Sequence, residues 1–546
     1  MVLVGALSPR QGSETNDAND TGVQRLNKFS PIMHLVIFTA MQFLVYFDRG
    51  ALSQVMGEIG TSHNATDAQL GTLGSSFTAG YMVASPLVAL LGQQSTFAPI
   101  YCIGVGLLVW CLGNVIFSQL TEPPIGPDGY PEFEEAIWAP MLMARAATGV
   151  GEAGFVCLGP PIIDDTAPKA SKALYLGIYF MFIFVGQAMG YVVGGLAQKI
   201  WPEWPDLKYL FFLEAIAMLP LAILSIVAAK KFCLEHLSED EEALVTASYA
   251  PEHTAVTSPN VEIELEDFEH RRSSLESVST VMTLASVECQ STRSMRRHDG
   301  GPSSASAASQ NSFWKDLASL AVNPVFAALI FGYIAYQFVM GGVAYWGPYY
   351  VQKALGMSKS LSGYAFGGVT VISGVVGTFG GSKLLDVMSG PQDGSETPRP
   401  NQRLLAGAKI LVIGSFLAWP FLIITALAKS EGFFFFCLLM GQLPLFAMYT
   451  SICAAILDAV PESTRGTAMA ISALAIHLLG DIPSQSLVGV IADSISEGEQ
   501  EGPKKAHAMQ VAMLCLAGFH IFTVLLFCVS FCLAKRKANA TVELAH

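Results

Sequence analysis

The chain has 546 residues, of which 52% are hydrophobic and 14% are charged. An average soluble domain carries roughly 25% charged residues, so this composition indicates an integral membrane protein. The net charge of −14 gives no sign of a nucleic-acid partner. Most of the ten cysteines fall inside apolar runs, without the paired spacing of disulfides or metal ligands. We therefore expect no nucleic acid, no metal ion and no cofactor.

Stretches of about 20 apolar residues, the length that a helix needs to cross a bilayer, recur along almost the whole chain. Six lie on each side of a long polar segment, so we expect an all-α membrane protein with twelve transmembrane helices in two six-helix bundles. The predicted spans are 31–55, 68–92, 96–118, 138–163, 173–198, 207–230, 318–345, 361–385, 404–427, 431–457, 465–492 and 507–534.

Three polar regions separate and flank the predicted bundles, which cover 31–230 and 318–534: an N-terminal tail (1–30), a central loop (231–317) and a C-terminal tail (535–546). The central loop is rich in Ser and acidic residues and has too few apolar residues to form a core, so we expect it to be disordered. Basic residues concentrate on one side of the alternating spans, which predicts that both termini and the central loop are cytoplasmic. These basic residues are Arg25, Lys28, Lys169, Lys172, Arg399, Arg403, Lys535, Arg536 and Lys537.

An internal repeat relates the two halves. The segment IIDDTAPKASKA between spans four and five matches AILDAVPESTRG between spans ten and eleven. Asp165 aligns with Asp458, and Lys172 aligns with Arg465. A parallel repeat of six spans is the plan of transporters that rock two bundles around a site near the membrane midplane.

Two predicted spans carry full charges well inside their apolar limits. Span four holds Arg145 and Glu152 on one helix face, among small residues that indicate contact with other helices. Span one holds Asp48 and Arg49, which point about 100° apart on a helix, so one of them needs a partner from another span. Because each charge in hydrocarbon costs about 2.5 kcal/mol or more, we expect these four residues to form one coupling or substrate site. The alternative is a pair of charges at a helix end in contact with water.

Two further spans contain candidate gating or substrate residues. Span eleven places His477 and Asp481 at positions i and i+4, on one helix face, where they can act in gating or coupling or simply in packing. Span seven contains Tyr336, Gln337 and Trp346. Part of this aromatic set is alternatively an interfacial belt.

An acid inside the membrane can change its protonation when a cavity opens to the other side. Burial favours the neutral form of a carboxyl group, whereas a neighbouring Arg favours the charged form. If that Arg moves away or binds substrate, Glu152 or Asp48 gains proton affinity, which is a workable coupling scheme. Glu214, in span six, is isolated in sequence, so we favour a structural role for it over one in gating or substrate binding.

Several motifs together resemble the Spinster branch of the major facilitator superfamily. They are RAATGVGEAGF in span four, HLLGDIPSQSLVGVIADS in span eleven and the Asp48-Arg49 pair. The resemblance extends over about residues 30–535 and implies the major facilitator fold, with amphipathic lipids such as lysophospholipids or sphingoid derivatives as cargo. It also implies that Arg145 and Glu152, with the pair in span one, belong to the coupling and substrate region.

One departure from the superfamily concerns the cytoplasmic loop after span two. That loop usually carries a Gly-x-x-x-Asp-Arg signature, whereas this chain has LLGQQSTFAPIY, without the acid or the bases. The second copy, GTFGGSKLLDVMSG, retains Asp386. We therefore expect the gating contacts of the N-terminal half to be weaker or replaced.

The sequence thus predicts a secondary active transporter, proton-linked and not an enzyme, that moves lysophospholipid or sphingolipid-like amphipaths by alternating access. We expect a monomer in an endosomal, lysosomal or plasma membrane, with its amphipathic substrate, protons and the lipid bilayer as partners. Two hypotheses remain beside this one. The chain could be a carrier of small organic anions, sugars or amino acids on the same fold, or a membrane sensor or scaffold that does not transport.

Overall fold

A computed structural model of the protein describes residues 31–92, 98–122, 135–168, 172–200, 207–248, 318–389, 401–461, 464–497 and 499–545. These residues are almost entirely helical. The predicted N-terminal tail and most of the predicted central loop (249–317) lie outside the described residues.

Each half of the chain contributes six membrane helices. The N-terminal half comprises α1 (Pro31–Ser62), α2 (Asp67–Gly92), α3 (Ala98–Leu120), α4 (Glu135–Thr166), α5 (Lys172–Ile200) and α6 (Lys208–Ser248). The C-terminal half begins with α7 (Pro324–Ala354), α8 (Lys359–Ser389), α9 (Gln402–Leu427) and α10 (Glu431–Ala459). Its next helix has three parts, α11 (Arg465–Ile476), a π-helical turn (His477–Asp481) and α12 (Ile482–Ser496), and α13 (Pro503–Ala545) ends the chain.

Within the described part of the chain, eleven helices, counting α11 to α12 as one, are long and apolar enough to cross a membrane, and α2, with 26 residues, is the twelfth long helix. The polar residues of α2 contact the other half of the protein. Ser75 Oγ donates to the Ile482 carbonyl at 2.8 Å and lies 2.9 Å from Ser486 Oγ. A hydroxyl that forms hydrogen bonds within the protein is satisfied there, so it is tolerated at membrane depth. The prediction of an all-α protein with twelve helices in two bundles is confirmed.

Small residues allow α4 to pack closely between α2 and α3. A Cβ atom at Gly149 would overlap the carbonyl oxygen of Phe77 in α2, and one at Gly151 would overlap the backbone nitrogen of Trp110 in α3. Close backbone approach is typical of membrane helices, because apolar lipid provides little hydrophobic drive for their association. This packing fixes the height of the charged α4 side chains within the bundle.

The helices differ from the predicted bundle limits at α6, α7 and α13. α13 continues to Ala545, through the predicted C-terminal tail, rather than ending at 534. α6 continues to Ser248, so the predicted disordered loop does not begin at 231. The added segment is rich in Glu, Leu and Ala, which favour helix. Residues 318–322 are helical, but α7 itself begins at Pro324, because the Asn323 side chain caps it by accepting two backbone N–H bonds of 3.1 and 3.2 Å. Proline at the first helical position suits this start.

A buried ion pair joins the two halves at the end that carries the α1–α2 loop. Lys505 Nζ of α13 lies 2.5 Å from Asp67 Oδ2 of α2, and the two side chains are 1% and 0% exposed. Tyr349 Oη of α7 donates to the other oxygen of Asp67 at 3.1 Å. The Asp493 carboxylate accepts the backbone N–H groups of Asp67 and Ala68, at 2.9 and 2.6 Å, and so caps α2 from the opposite half. Asp67, Tyr349, Asp493 and Lys505 are called the latch below.

Further contacts between the halves run from the latch towards the middle of the bundle. Ser53 Oγ of α1 donates to the Tyr345 carbonyl at 2.5 Å, and Tyr345 Oη donates to the Leu70 carbonyl at 2.6 Å. Deeper in the bundle, the rings of Phe184 and Phe446 meet edge to face with centroids 4.8 Å apart. The end of the protein that carries the latch is therefore closed.

The latch predicts the effect of removing its cation. Lys505→Met leaves the Asp67 carboxylate buried without its ion-pair partner, and removal of one partner of a buried pair costs about 3–5 kcal/mol. We expect the population to shift towards a conformation that is open at this end. Electron paramagnetic resonance should then report a longer distance between spin labels at the exposed positions Thr61 and Ser494.

Lys504→Met is the matched control, because Lys504 is the neighbour of Lys505 in the first turn of α13 and its ion pair with Glu497 is solvent-exposed. An exposed pair contributes only about 0–1 kcal/mol, so this variant should keep the distance distribution of the unmodified protein. Equal distributions in the Lys505 and Lys504 variants would contradict a role of the latch in closing this end.

Candidate functional site

The charges of α1 and α4 form two ion pairs inside the N-terminal half. Arg145 donates from both terminal nitrogens to the two carboxylate oxygens of Asp48, at 2.9 and 2.8 Å, and both side chains are fully buried. Arg49 forms a second ion pair with Glu152. Adjacent residues on α1 thus take separate partners on α4, as the divergent directions of their side chains require. The two pairs together are called the charge cluster.

The two pairs of the charge cluster differ in their access to solvent. The Arg49 side chain is 29% exposed, whereas Glu152 is fully buried. Among the described residues, Arg49 Nε and Glu152 Oε2 have no hydrogen-bond partner. By contrast, Asp48 and Arg145 form the bidentate arrangement that is strongest for these groups. Arg145 Nε is likewise unpartnered among the described residues, but the Asp48–Arg145 pair is fully buried, so the Arg49–Glu152 pair is the one that is accessible to a further ligand.

Aromatic rings and one amide complete the charge cluster. The Phe77 ring centroid lies 4.9 Å from Arg49 Cζ and 5.2 Å from Arg145 Cζ, and the Tyr46 centroid lies 4.6 Å from Arg49 Cζ. Such cation–π contacts stabilise a partly desolvated guanidinium. Asn114 Oδ1 accepts from Arg145 at 3.3 Å. The sequence prediction missed these residues. Asn114 could have been found as a polar residue within span three, but nothing marks Phe77 among the many aromatic residues of apolar spans.

The C-terminal half presents a second polar group towards the charge cluster. His477 Nδ1 lies 2.5 Å from Asp481 Oδ2, and Gln337 of α7 donates to the other Asp481 oxygen at 3.0 Å. His477 is within electrostatic range of Glu152, and Asp481 is within range of Arg49. The structure therefore brings together the predicted residues of spans one, four, seven and eleven at the boundary between the halves.

The His477–Asp481 pair occupies the two ends of the π-helical turn. π-helical turns are rare in proteins, and those that do occur often lie at functional sites. The Tyr81 ring of α2 meets the His477 ring edge to face, with centroids 5.4 Å apart. The i, i+4 spacing predicted a shared face, but the sequence did not predict the wider turn. At Gly480 a Cβ would lie 3.2 Å from the Gln337 side chain, so α7 packs tightly against this turn.

Glu214 of α6 lies next to the charge cluster, although it is isolated in sequence. It faces the Asp48 carboxylate and lies within electrostatic range of Arg145. The residue is 4% exposed, and neither of its carboxylate oxygens has a hydrogen-bond donor among the described residues. Glu214 is therefore a third acid of this region.

Two predicted residues of α7 make packing contacts within the C-terminal half. Tyr336 Oη donates to the Leu445 carbonyl at 3.0 Å, and Trp346 Nε1 donates to the Gln485 carbonyl at 2.9 Å. Both side chains are buried. Their predicted role in gating or substrate binding stays a prediction.

The loop motifs are described mainly in the C-terminal half. Asp458 Oδ2 lies 3.8 Å from Arg403 Nε, and Arg465 Nε donates to a backbone carbonyl of α10 at 3.0 Å. Asp386 is exposed near the end of α8. The aligned residues of the first copy are Asp165 and Lys172, and their side chains lie outside the described part of the chain.

The bidentate pair predicts a large loss of stability when its cation is removed. Arg145→Met leaves the Asp48 carboxylate buried without its ion-pair partner, so we expect the free energy of unfolding in detergent to fall by about 3–5 kcal/mol. Arg145→Lys keeps the positive charge and should recover part of this loss. The recovery should be incomplete, because an ammonium group cannot form the paired contact.

Lys208→Met is the matched control for this measurement, since the pair of Lys208 with Glu122 at 2.7 Å is partly exposed. Its removal should cost about 0–1 kcal/mol. Comparable losses at Arg145 and Lys208 would show that the Asp48–Arg145 pair is not critical for stability.

Comparisons with known proteins agree with this architecture. The sequence profile of the Major Facilitator Superfamily matches residues 38–483. The Arabidopsis thaliana protein named "Probable sphingolipid transporter spinster homolog 3" is 30% identical over 493 residues, which cover 87% of this chain and 82% of that protein.

Two solved structures are similar in fold. A bacterial homologue of the human lysosomal transporter Spinster, in an inward-facing and unoccupied conformation, has a TM-score of 0.60 at 16% identity and covers 93% of this chain and 98% of its own. A D-xylose–proton symporter has a TM-score of 0.55 at 18% identity, covering 90% of this chain and 97% of its own. From the matching profile and the curated relative, the chain belongs to the Spinster family of the Major Facilitator Superfamily, whose members are membrane transporters and not enzymes.

Proposed function

We propose that this chain is a proton-linked secondary transporter that moves single-chain amphipathic lipids, such as lysophospholipids or sphingoid derivatives, by alternating access. One observation carries the proposal. The partly exposed Arg49–Glu152 pair has unsatisfied polar atoms and faces the His477–Asp481 pair across the boundary between the halves. Ionisable residues in such intramembrane positions are typical of substrate and proton pathways.

Arg49 is the residue best suited to hold the anionic part of a headgroup. Its side chain is the exposed member of the pair, and its buried Nε has no hydrogen-bond partner among the described residues. Guanidinium groups bind phosphate and carboxylate through paired hydrogen bonds. Asp481 lies within electrostatic range of Arg49, so an acid is available in the same region for a cationic amine. A headgroup that carries both signs of charge suits this pairing of groups.

Apolar surface for the lipid chain lies along the same helix. A groove of about 640 Å³ is lined by residues of α1, α5 and α6, among them Phe43, Leu44 and Phe182. Phe43 and Leu44 lie about one helical turn from Asp48. An amphipath needs an ionic partner at one end and apolar contact at the other, and α1 offers both. The name of the Arabidopsis relative, which refers to sphingolipid transport, supports this substrate class.

Proton linkage follows from the charge balance of the Arg49–Glu152 pair. Glu152 is fully buried and takes its countercharge from Arg49. When an anionic headgroup occupies Arg49, the carboxylate loses that partner, and burial then favours its protonated form. Substrate binding and proton binding therefore strengthen each other, as linkage requires. Return of Arg49 to Glu152 after substrate release expels the proton.

The side of the membrane that is closed in this conformation depends on the orientation of the protein in the bilayer. We place both termini in the cytoplasm, as the distribution of Lys and Arg indicates, in a monomer of an endosomal, lysosomal or plasma membrane. The latch then closes the side away from the cytoplasm, together with the ion pair between Glu58 and Lys359. Opening of that side requires both of these contacts between the halves to break, while new contacts form at the cytoplasmic ends.

The proton scheme predicts the effect of neutralising Glu152. In proteoliposomes, Glu152→Gln should abolish the stimulation of lysophospholipid uptake by an imposed pH gradient, because an amide keeps the shape of the acid but cannot take up or release the proton. Uptake down the gradient of the substrate itself should remain. Glu122→Gln is the control, since it removes a partly exposed carboxylate of the same half that lies outside the charge cluster.

The same assay tests the substrate class when a sphingoid base, a sugar, an amino acid and an organic anion are supplied beside the lysophospholipid. An unaltered proton dependence in Glu152→Gln would exclude Glu152 as the coupling acid. Uptake restricted to the small hydrophilic compounds would contradict the lipid assignment and favour a small-solute carrier. Absence of uptake for every compound would favour a membrane sensor or scaffold.

A further inference from the structure

We infer that Glu214 holds a proton in the conformation described here and shares it with Asp48, so that it is a second proton-binding acid of this protein. The inference deepens the proposed function, and its meaning for transport rests on the proton linkage proposed above. It assigns a specific chemical role to a residue whose isolation in sequence favoured a structural one.

The surroundings of Glu214 are those of a neutral acid. The residue is 4% exposed, and its two carboxyl oxygens are buried without a hydrogen-bond donor among the described residues. Its neighbour on α1 is the carboxylate of Asp48. Two adjacent carboxyl groups in a buried site do not both ionise, because like charges repel strongly where water is excluded.

The charge balance of the region calls for one proton. Asp48 is matched by Arg145, and Glu152 is matched by Arg49, which leaves the Glu214 carboxyl as the surplus acid. An isolated carboxylate in an apolar interior is so unfavourable that the group binds a proton instead. One bound proton makes this set of five residues electrically neutral.

Glu214 is the acid of the three with the least support for a negative charge. Both oxygens of Asp48 accept N–H bonds from Arg145, at 2.8 and 2.9 Å, and Glu152 is paired with Arg49. A protonated Glu214 gains an O–H group, which can donate to the neighbouring Asp48 carboxylate. The contact between Glu214 and Asp48 is therefore attractive when Glu214 is neutral, whereas two carboxylates at these positions would repel each other.

The groups around Glu214 also provide a route for release of the proton. The charged groups that face it are Asp48 on α1 and Arg145 on α4. α3, which packs along α6, contributes Asn114, whose Oδ1 accepts from Arg145. A movement of α1 relative to α4 that separates Arg145 from Asp48 would leave the arginine free to pair with Glu214, and the proton would pass to Asp48. Glu214 thus stores the proton behind the charge cluster, whereas Arg49 meets the substrate.

Infrared spectroscopy of the purified full-length protein in lipid tests the protonation state directly. At neutral pH, the spectrum of the unmodified protein minus that of Glu214→Gln should contain the carbonyl-stretch band of a protonated carboxylic acid. The same subtraction with Glu122→Gln should contain carboxylate bands, because Glu122 is paired with Lys208 and partly exposed. Glu214→Asp should keep the carboxylic-acid band at a shifted frequency, and it covers the case in which the glutamine variant does not fold.

Uptake measurements test whether Glu214 takes part in proton-linked transport. Glu214→Gln should lose the stimulation of lysophospholipid uptake by a pH gradient, whereas Glu214→Asp should keep it. Carboxylate bands in place of the carboxylic-acid band at Glu214 would overturn the inference, as would full pH stimulation in the glutamine variant. Uptake by the unmodified protein that is independent of pH would contradict the proposed function but would leave the spectral assignment intact, so the two can fail separately.

Discussion

The bidentate contact between Arg145 and Asp48 fixes α4 against α1, and the other charged groups take their positions from it. With both carboxylate oxygens of Asp48 occupied, the adjacent Arg49 must find a different acid, and Glu152 lies two turns further along α4. Both terminal nitrogens of Arg145 donate to Asp48, and Glu214, which lies beside Asp48, has no hydrogen-bond donor among the described residues. In a bilayer interior each of these choices is enforced, since an unmatched charge costs several kcal/mol.

The two halves are joined by different kinds of contact at different depths. At the closed end, the latch combines a buried ion pair with backbone capping of α2, which is strong but depends on precise geometry. Near the middle, the contact between Tyr81 and His477 is a ring packing that tolerates sliding. Strong contacts at one end and adaptable ones in the middle suit two bundles that rock around a central site. A transporter needs such contacts to be stable in one conformation and replaceable in the next.

Hydropathy and charge were sufficient to predict the twelve helices and the four charged residues that form the charge cluster. A span that must be apolar makes every charge conspicuous, and the cost of that charge demands a partner, so the meeting of the α1 and α4 charges followed from the sequence. The particular pairing did not follow, because it depends on how far α4 is rotated when Gly149 and Gly151 pack against α2 and α3.

Other parts of the site could not be predicted for related reasons. Asp67 and Lys505 lie near predicted loops, where charges are normally solvated, and only the approach of the opposite half buries them. Glu214 has no charged neighbour in its own span, and the adjacent Asp48 comes from α1. The π-helical turn arises where α7 packs tightly against Gly480, a contact between helices distant in sequence.

The most direct test of proton-coupled lipid transport is to measure the movement of protons during substrate entry. Proteoliposomes would carry a pH-sensitive dye in the lumen and no imposed gradient, with protein-free liposomes as the blank. On addition of lysophospholipid, we expect a change of lumenal pH that rises in proportion to uptake, because the buried acids bind a proton with each substrate. Uptake of the lipid at constant lumenal pH would show that lipid entry is not coupled to proton movement.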